Sequence, residues 1–394
     1  MSNHNEAGRP AGAGPAQAAA DPAALVVAVV GGGRWARALA GTLVHNQQRA
    51  PQRIARVLLH RPPRDSSRAG AEHPGDDLGP GSDLGPGDND HPVLPARADA
   101  VPDVGSAHSA GSPADGPRLG IVPIELPELG QADLILLASP AATVRGLLRA
   151  ASPHLHGGQA LVHAIGSLAP AKGEHDHVLL ISYVVREETP LRRIGALAGP
   201  ALAPDLEEFS PAALVCGSRY DDVGKAIVDV LASPSLRIYT TQDLIGVEVA
   251  RAGAAVIAMA AGVASALDLG APARAILITR GAAEMARLGT ALGGQDKTFS
   301  GLAGIGELIL ATEQRGSADF ELGRLLGRGQ KLAEALPRVG RVCDGPTMVR
   351  EAFLLGQRLK LRMPLTAALY RWLRGELDTK QALATLFGSE NHSE

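Results

Sequence analysis

A glycine-rich turn between a buried strand and a helix constrains the fold of this chain more than any other segment. Residues 23–30, AALVVAVV, form a continuous apolar run that is typical of a strand buried on both faces of a sheet. GGGRWARALA follows at once, so that Gly31, Gly33 and Ala36 give the spacing G-x-G-x-x-A. The first glycine allows a tight turn, the second lets a pyrophosphate approach the backbone, and the small third residue lets helix and strand pack closely. Because the N–H groups at the helix start then face the phosphates, the pattern predicts dinucleotide binding. A glycine-rich turn that only packs a helix on a sheet is the alternative.

Strands and helices alternate through the first part of the chain, and only helices follow. Further strands are predicted at residues 53–60, 118–126, 132–140, 159–166, 194–200, 212–218 and 236–241, and those at 53–60 and 132–140 are predicted to be buried. Helices alone are predicted from there on, at residues 245–269, 273–292, 301–311, 319–327, 346–359, 363–374 and 379–387. The fold class is therefore α/β plus all-α, with a doubly wound Rossmann domain over 24–242 and a helical C-terminal domain over 243–388. A length of 394 residues suits two domains.

Three segments carry no periodic pattern. Residues 1–23 are rich in Ala, Gly and Pro and lack the basic start and apolar centre of a signal peptide. Residues from about 62 to 117 are rich in Pro, Gly, Asp, Ser and His. Such compositions bury too little apolar surface to offset the entropy of ordering the chain. We predict a disordered N-terminal tail, a disordered insertion within the Rossmann domain, and a short tail at 389–394.

Composition and charge exclude several classes of function. A net charge of −3 and an aromatic content of 3% favour neither a nucleic-acid partner nor base stacking. Cys216 and Cys343 are far apart and form no metal or redox motif, which favours a reducing cytoplasm and no metal. The apolar run 245–269 has Glu248 and Arg251 near its start. The apolar part after Arg251 is shorter than a membrane span, and we interpret the run as a buried core helix.

The end of the second strand bears on the choice of cofactor. An NAD-binding domain places an acidic residue there to bind the ribose, whereas positive charge suits the 2′-phosphate of NADP. This strand ends in His60 and Arg61, with Arg64 nearby. The sequence therefore favours NADP over NAD, although Arg61 as a solvated loop residue fits the same pattern.

Several long segments give the chain a specific resemblance. It resembles the bacterial NAD(P)-dependent glycerol-3-phosphate dehydrogenases in GGGRWARALA, DLIGVEVARAGAAVIAMAAG, TFSGLAGIGELIL, VCDGPTMVREAF and RMPLTAALYRWLRGE. The resemblance implies a Rossmann domain followed by a helical domain, and reduction of dihydroxyacetone phosphate to sn-glycerol 3-phosphate for glycerophospholipid synthesis. It also implies a small-molecule substrate, a cytoplasmic location and a homodimer.

The family's binding positions are carried over residue by residue. For the cofactor the glycine spacing gives Gly31, Gly33 and Ala36 and the charge after the second strand gives Arg61, to which the resemblance adds Arg34, Trp35, Pro140, Ala203, Val342 and Asp344. For the substrate it implies Gly199, Ala201, Glu307 and Ser317. Glu307 stands where the family has an aspartate, and Asp344 stands where the family has a glutamate.

At other positions the resemblance implies lost chemistry. The family's Lys-Asn pair after G-V-E falls on Ala254 and Ala255, and its second lysine falls at about Gly166. The Arg-Asn of its S-R-N triplet falls on Ala318 and Asp319. A positioned general acid contributes roughly 10²–10⁴-fold to such a reaction, and alanine supplies none. We therefore predict a catalytically impaired or inactive member of the family.

Other residues are candidates for a relocated acid or base. Lys172 and His163 lie near the second lysine position, Glu307 carries a carboxyl, and Arg251 lies about one helical turn before Ala254. Each also fits a structural role, and Lys297 fits an exposed loop charge. The alternative function is an active NADP-dependent dehydrogenase on another small carbonyl or hydroxy compound, unphosphorylated or cationic. A third possible function is slow reduction of the family's own substrate, dihydroxyacetone phosphate.

Overall fold

The computed structural model of the chain describes residues 24–62, 120–169, 180–313 and 317–387. The predicted N-terminal tail, nearly all of the predicted insertion and the predicted C-terminal tail lie outside these residues. Lys172 lies outside them as well, and its candidacy as an acid or base stays a prediction.

One eight-stranded sheet organises the N-terminal part. Its strands are β1 (Leu25–Val30), β2 (Ile54–His60), β3 (Ile121–Pro123), β4 (Leu134–Leu137), β5 (Ala160–His163), β6 (Arg193–Ala198), β7 (Ala212–Ser218) and β8 (Leu236–Thr241). They lie in the order β3-β2-β1-β4-β5-β6-β7-β8, and every pair is parallel except the antiparallel pair β6–β7. The order reverses direction between β1 and β4, and open α/β sheets bind their ligands at the carboxyl ends of the strands at such a point.

Helices cover both faces of this sheet. They are α1 (Arg34–Arg49), α2 (Ala141–Ala151), α3 (Ile181–Glu188), α4 (Ala203–Glu207) and α5 (Asp221–Leu231). Because side chains alternate along a strand, Val27 and Val29 of β1 pack into the core with α1 and α5, and Ala28 and Val30 pack into the opposite core with α2 and α3. The doubly wound arrangement predicted from the apolar strand pattern is confirmed.

The rest of the chain is helical. The helices are α6 (Leu244–Ala266), α7 (Gly270–Ala291), α8 (Asp296–Phe299), α9 (Glu307–Ala311), α10 (Ala318–Gly327), α11 (Leu332–Val339), α12 (Gly345–Arg358), α13 (Pro364–Leu373) and α14 (Thr379–Phe387). Helix α6 is central, with 20 of its 23 residues buried. The Asp243 carboxylate caps its start by accepting hydrogen bonds from the N–H groups of Gly246 and Gln295. The predicted fold class is confirmed.

The small residues of α6 allow close helix packing. A Cβ atom on Gly262 would come closer than 3.0 Å to the carbonyl oxygen of Phe320 in α10, and a Cβ on Gly323 of α10 would do the same to the carbonyl oxygen of Met259 in α6. The backbones of α6 and α10 therefore approach through glycine on both sides. Helix α6 has the length and composition of a membrane span, but 94% of its most apolar window is buried inside the protein.

The predicted helix over 301–311 is wrong in its detail. A π-helical turn over Leu302–Gly306 precedes α9, and the N–H of Gly306 donates to the carbonyl of Gly301 over 3.2 Å. The wider turn brings Gly304 against the backbone of Phe299, where a Cβ would come closer than 3.0 Å to the Phe299 carbonyl. Glycine at 301, 304 and 306 permits this widening, and its consequence is to set the direction of Glu307 at the start of α9.

Candidate functional site

The glycine turn after β1 combines one close approach with an open surface. The N–H of Gly31 donates to the carbonyl of His60 over 3.0 Å, and a Cβ on Gly31 would collide with the carbonyl oxygen of Ala138 beyond β4. Ala36 is fully buried against the sheet. A Cβ on Gly32 or Gly33, in contrast, would meet no atom within 4 Å. The turn therefore packs through its first glycine and leaves free space in front of the next two.

Two helix starts face this space with uncapped N–H groups. Helix α1 begins after Gly33 and α2 begins after Pro140, and neither has a side-chain cap at its start. Uncapped first-turn N–H groups carry a partial positive charge and bind phosphates. These two helices follow β1 and β4, the strands between which the order of the sheet reverses. The residues present fit the pyrophosphate of a dinucleotide.

The arginine side chains near the turn differ in whether other residues hold them in place. Arg34 donates from Nε and Nη2 to Oε2 of Glu207 over 2.9 and 2.5 Å, and Glu207 ends α4, which Ala203 begins. This hydrogen bond raises the pKa of Arg34 and directs its guanidinium toward α4. Arg61 follows β2 and is exposed. Of the two, Arg61 has the freer side chain.

A carboxylate of the helical domain connects α6 to the loop after β6. Glu307 is buried, its Oε2 accepts the N–H of Gly199 over 2.7 Å, and its Oε1 accepts a hydrogen bond from Nη1 of Arg251. Burial raises the pKa of Glu307, and Arg251 and Gly199 oppose this effect. Glu307 thus contacts both Gly199 and Arg251, and the sequence had given Arg251 as one of several candidate residues.

Two further carboxyl groups lie beside Arg251. A Cβ on Gly166 would lie 3.2 Å from Oδ2 of Asp344 and 3.8 Å from Nε of Arg251. Asp319 accepts the N–H of Gly345 over 2.7 Å. Burial and, to a smaller extent, the Asp344 charge raise the pKa of Asp319 to about 8, and burial also raises the pKa of Asp344. An acidic pair therefore lies next to the guanidinium.

The helix position predicted to have lost a lysine lies close to this group. Ala254 and Ala255 are 3% and 7% exposed, and a Cβ on Gly345 would lie 3.4 Å from the carbonyl oxygen of Ala255. The cation that the described residues bring to the cleft carboxyls is Arg251, whereas Lys297 is exposed on α8. The Nε of Arg251 lies beside Gly166, where the resemblance implies the second lysine.

His163 is held in a buried network away from solvent. Its Nε2 lies 2.9 Å from Oε1 of Glu248, and the Glu248 carboxylate also accepts the N–H and the hydroxyl of Ser182 over 2.8 and 2.6 Å. All three residues are at most 3% exposed. The carboxylate joins β5, α3 and α6, which is a structural role. The sequence signal was present, since Glu248 is an acid within an otherwise apolar helix.

The remaining predicted site residues differ in their burial and in their contacts. Ser317 caps α10 by accepting the N–H of Phe320 over 3.2 Å, Ala201 is buried, and Val342 is 60% exposed. Among the described residues no group of three or more His, Cys, Asp or Glu side chains is arranged to hold a metal ion.

Comparison with known proteins gives the same family in both halves of the chain. The family model for the NAD-dependent glycerol-3-phosphate dehydrogenase N-terminus matches residues 127–223, and the model for the C-terminus matches residues 243–384. The glycerol-3-phosphate dehydrogenase [NAD(P)+] of Bacillus velezensis is 33% identical over 308 residues, which cover 76% of this chain and 88% of that protein. The chain belongs to the NAD(P)-dependent glycerol-3-phosphate dehydrogenase family.

Other relatives agree with this assignment. The glycerol-3-phosphate dehydrogenase [NAD(P)+] of Nitrosomonas europaea is 38% identical over 268 residues, 68% of this chain and 79% of that protein. The crystal structure of the glycerol-3-phosphate dehydrogenase from Coxiella burnetii has a TM-score of 0.72 and 26% identity, and covers 93% of this chain and 99% of its own. The family resemblance and its two-domain fold are confirmed, and the family cofactor is a nicotinamide dinucleotide.

Proposed function

We propose that this glycerol-3-phosphate dehydrogenase family member binds a nicotinamide dinucleotide in the cleft but reduces dihydroxyacetone phosphate weakly or not at all. The surroundings of Gly166 and Ala254 carry this proposal. Where the family resemblance implies two lysines, this chain has no side chain at 166 and a methyl group at 254, and Arg251 and Asp344 lie beside Gly166.

The dinucleotide would be held by the residues around the turn. Gly31, Gly33 and Ala36 form the turn, and Trp35 and Pro140 border it. The cofactor supplies a hydride to the carbonyl carbon of the substrate. NADP is favoured over NAD because Arg61 is exposed after β2, and the two residues that the structure describes there, Arg61 and Pro62, include no acid.

Proton transfer is the first step that the chain supports poorly. Hydride addition to a ketone builds negative charge on oxygen, which a positioned acid must neutralise and protonate. Arginine keeps its proton at any pH at which proteins fold and is a poor donor. Ala254 and Gly166 offer no donor, so rates fall by roughly 10²–10⁴-fold through this cause alone.

Binding of the substrate's phosphate group is the second step that the chain supports poorly. The resemblance implies an arginine and an asparagine at Ala318 and Asp319, and this chain has a methyl group and a carboxyl. Like charges ~4 Å apart repel by about 4 kcal/mol at an effective dielectric near 20. The missing guanidinium weakens phosphate binding at any pH, and because the pKa of Asp319 is about 8, this repulsion adds to the loss mainly above pH 8.

An active dehydrogenase on an unphosphorylated or cationic carbonyl compound is the second candidate. The observation that favours it is the acidic pair, because a carboxyl with a pKa of about 8 is largely protonated at pH 7 and has a proton to donate. His163 is a weak candidate for this role, since Glu248 holds its Nε2 in the core. We also propose a homodimer in the cytoplasm, where Cys216 and Cys343 remain free thiols.

An assay with dihydroxyacetone phosphate tests the proposal. The purified full chain is mixed with the substrate and NADPH or NADH, beside the Bacillus velezensis relative as reference, and nucleotide oxidation is followed by absorbance. We expect turnover at least about 100-fold below the reference. Turnover equal to the reference would refute the impairment, and activity on an unphosphorylated ketone instead would select the second candidate.

A further inference from the structure

Arg251 reaches three parts of the cleft at once. Its Cζ lies 5.9 Å from the centroid of the Trp35 ring in the first turn of α1, which is cation–π distance. Its Nη1 bonds to Glu307, and its Nε lies 3.8 Å from the point where a Cβ on Gly166 would stand. The side chain is 24% exposed. One guanidinium therefore connects the glycine turn, the loop after β5 and the start of α9.

We propose that Arg251 binds the negatively charged pyrophosphate of the nicotinamide dinucleotide. The inference rests on the proposed retention of dinucleotide binding. Trp35 lies two residues after Gly33, whose open backbone faces the space for the phosphates. A guanidinium stacked on that ring lies at the edge of the same space. Helix α6 then supplies a cation from the helical domain to a ligand of the Rossmann domain.

The guanidinium has donors left for a phosphate group. Arginine carries five N–H donors in a planar fork that matches a phosphate in bidentate geometry. Within the described parts of the chain, the hydrogen bonds give this guanidinium one acceptor, the Glu307 carboxylate, through Nη1. Nε and Nη2 form the edge that remains. Because Trp35 and Glu307 already fix its plane, little conformational entropy is lost on binding.

The other arginines of the turn are engaged with the protein. Arg34 is held by Glu207 through Nε and Nη2, and Arg37 donates from Nη1 to the carbonyl of Gly32 over 2.9 Å. Gly166 has no side chain that would separate Arg251 from the cleft, and Ala254 has only a methyl group. The position of Arg251 on α6 thus allows it to supply charge that neither neighbouring position supplies.

Titration of the full chain with NADPH and with NADH by isothermal calorimetry tests the role of Arg251. Replacing the charge in Arg251→Gln is expected to raise the Kd about 10- to 100-fold, the range for a hydrogen bond to a charged group. Arg251→Lys keeps the charge and should lose less. The matched control is Arg274→Gln, which removes a surface pair with Glu313 and should leave the Kd unchanged.

A double variant that moves the positive charge from position 251 to position 166 distinguishes an electrostatic role of Arg251 from a packing role. In Arg251→Gln/Gly166→Lys a lysine enters the cleft from the neighbouring loop, and the affinity should return toward that of the wild type. Failure of this rescue would show that Arg251 acts through packing and would overturn the proposal. So would equal Kd values for the wild type and Arg251→Gln.

Two further results keep the test decisive. If Arg251→Gln does not fold, Glu307→Gln takes its place; loss of the competing carboxylate should lower the Kd, and an unchanged Kd would count against the proposal. If the wild type binds neither NADPH nor NADH, the proposed dinucleotide binding is refuted together with this inference. Binding by the wild type with an unaffected Arg251→Gln refutes the inference alone.

Discussion

Asp319 and Asp344 are the residues whose protonation most affects the cleft. Each lies at the start of a helix of the C-terminal domain, since Asp319 is in the first turn of α10 and Asp344 precedes α12. Both carboxyls lie close enough to Arg251 for its charge to lower their pKa values against the effect of burial. Loss of water around them makes ionisation costly, which is why the pKa of Asp319 rises to about 8.

The raised pKa of Asp319 predicts a stability that falls with rising pH. The unfolded carboxyl loses its proton near pH 4, whereas the folded one keeps it until about pH 8. Between these values the unfolded state binds fewer protons, so the free energy of unfolding decreases as pH rises, by at most about 1.4 kcal/mol per pH unit. Partial exposure of the side chain makes the slope smaller.

Asp319→Asn is therefore expected to flatten the pH profile of stability. The amide cannot ionise but still accepts the N–H of Gly345, so the variant should be more stable than the wild type at pH 8 and equal to it near pH 4. Urea unfolding at a series of pH values measures this. The control is Asp296→Asn at an exposed position of α8, and parallel profiles for wild type and Asp319→Asn would contradict the prediction.

Among the elements, α6 has the most demanding packing. It contacts the sheet through Val247, where its side chain fills the space beside Gly217 of β7, and it meets α10 through Gly262. Its alanines and glycines contribute little hydrophobic area each but allow backbones to approach. The helix also carries Glu248 and Arg251, so its exact placement positions both the buried network and the cleft cation.

Gly262→Ala should destabilise the protein by about 1–3 kcal/mol. The added methyl group would collide with the carbonyl oxygen of Phe320, and a backbone cannot move aside as a side chain can. The matched control is Gly146→Ala in the exposed face of α2, where a Cβ meets nothing within 4 Å and the change should stabilise by about 0.5–1 kcal/mol. Urea unfolding compares them, and equal effects would refute the packing argument.

At the scale of the whole molecule, one core crosses the domain boundary. The cluster that contains Ala28 and Val30 of β1 continues through α6 to Leu386 of α14. A second cluster on the opposite face of the sheet contains Val27 and the side chains of α1 and α5. Because the first cluster joins both domains without a break, we expect them to unfold together.

Thermal unfolding should therefore show one transition, and a dinucleotide should move all of it. A ligand at 100 times its Kd adds about 2.7 kcal/mol to the free energy of unfolding. Differential scanning calorimetry with and without NADPH measures both features. Two separate transitions would refute the shared core, and a single transition that NADPH does not move would refute dinucleotide binding.

Local patterns in the sequence were sufficient for the strand, turn and first helix of the Rossmann domain. The valine run of β1 and the glycine spacing after it involve neighbouring residues only, so they can be recognised in the sequence without the tertiary structure. The same holds for the long apolar helix α6. Helices α3, α4, α8 and α11 were not predicted, because α3, α4 and α8 are short and α11 contains Pro337.

Tertiary structure alone decided which side chains meet in the cleft. Arg251 and Glu307 are 56 residues apart in sequence, and His163 and Glu248 are 85 apart. The antiparallel pairing of β7 with β6 was likewise outside what the strand pattern determines. Periodicity reports which face of an element is buried, but a contact between distant residues depends on how whole elements pack. For that reason the sequence by itself determined the fold class and the dinucleotide turn, and only the packing of α6 against the sheet and α9 decided that an arginine occupies the cleft.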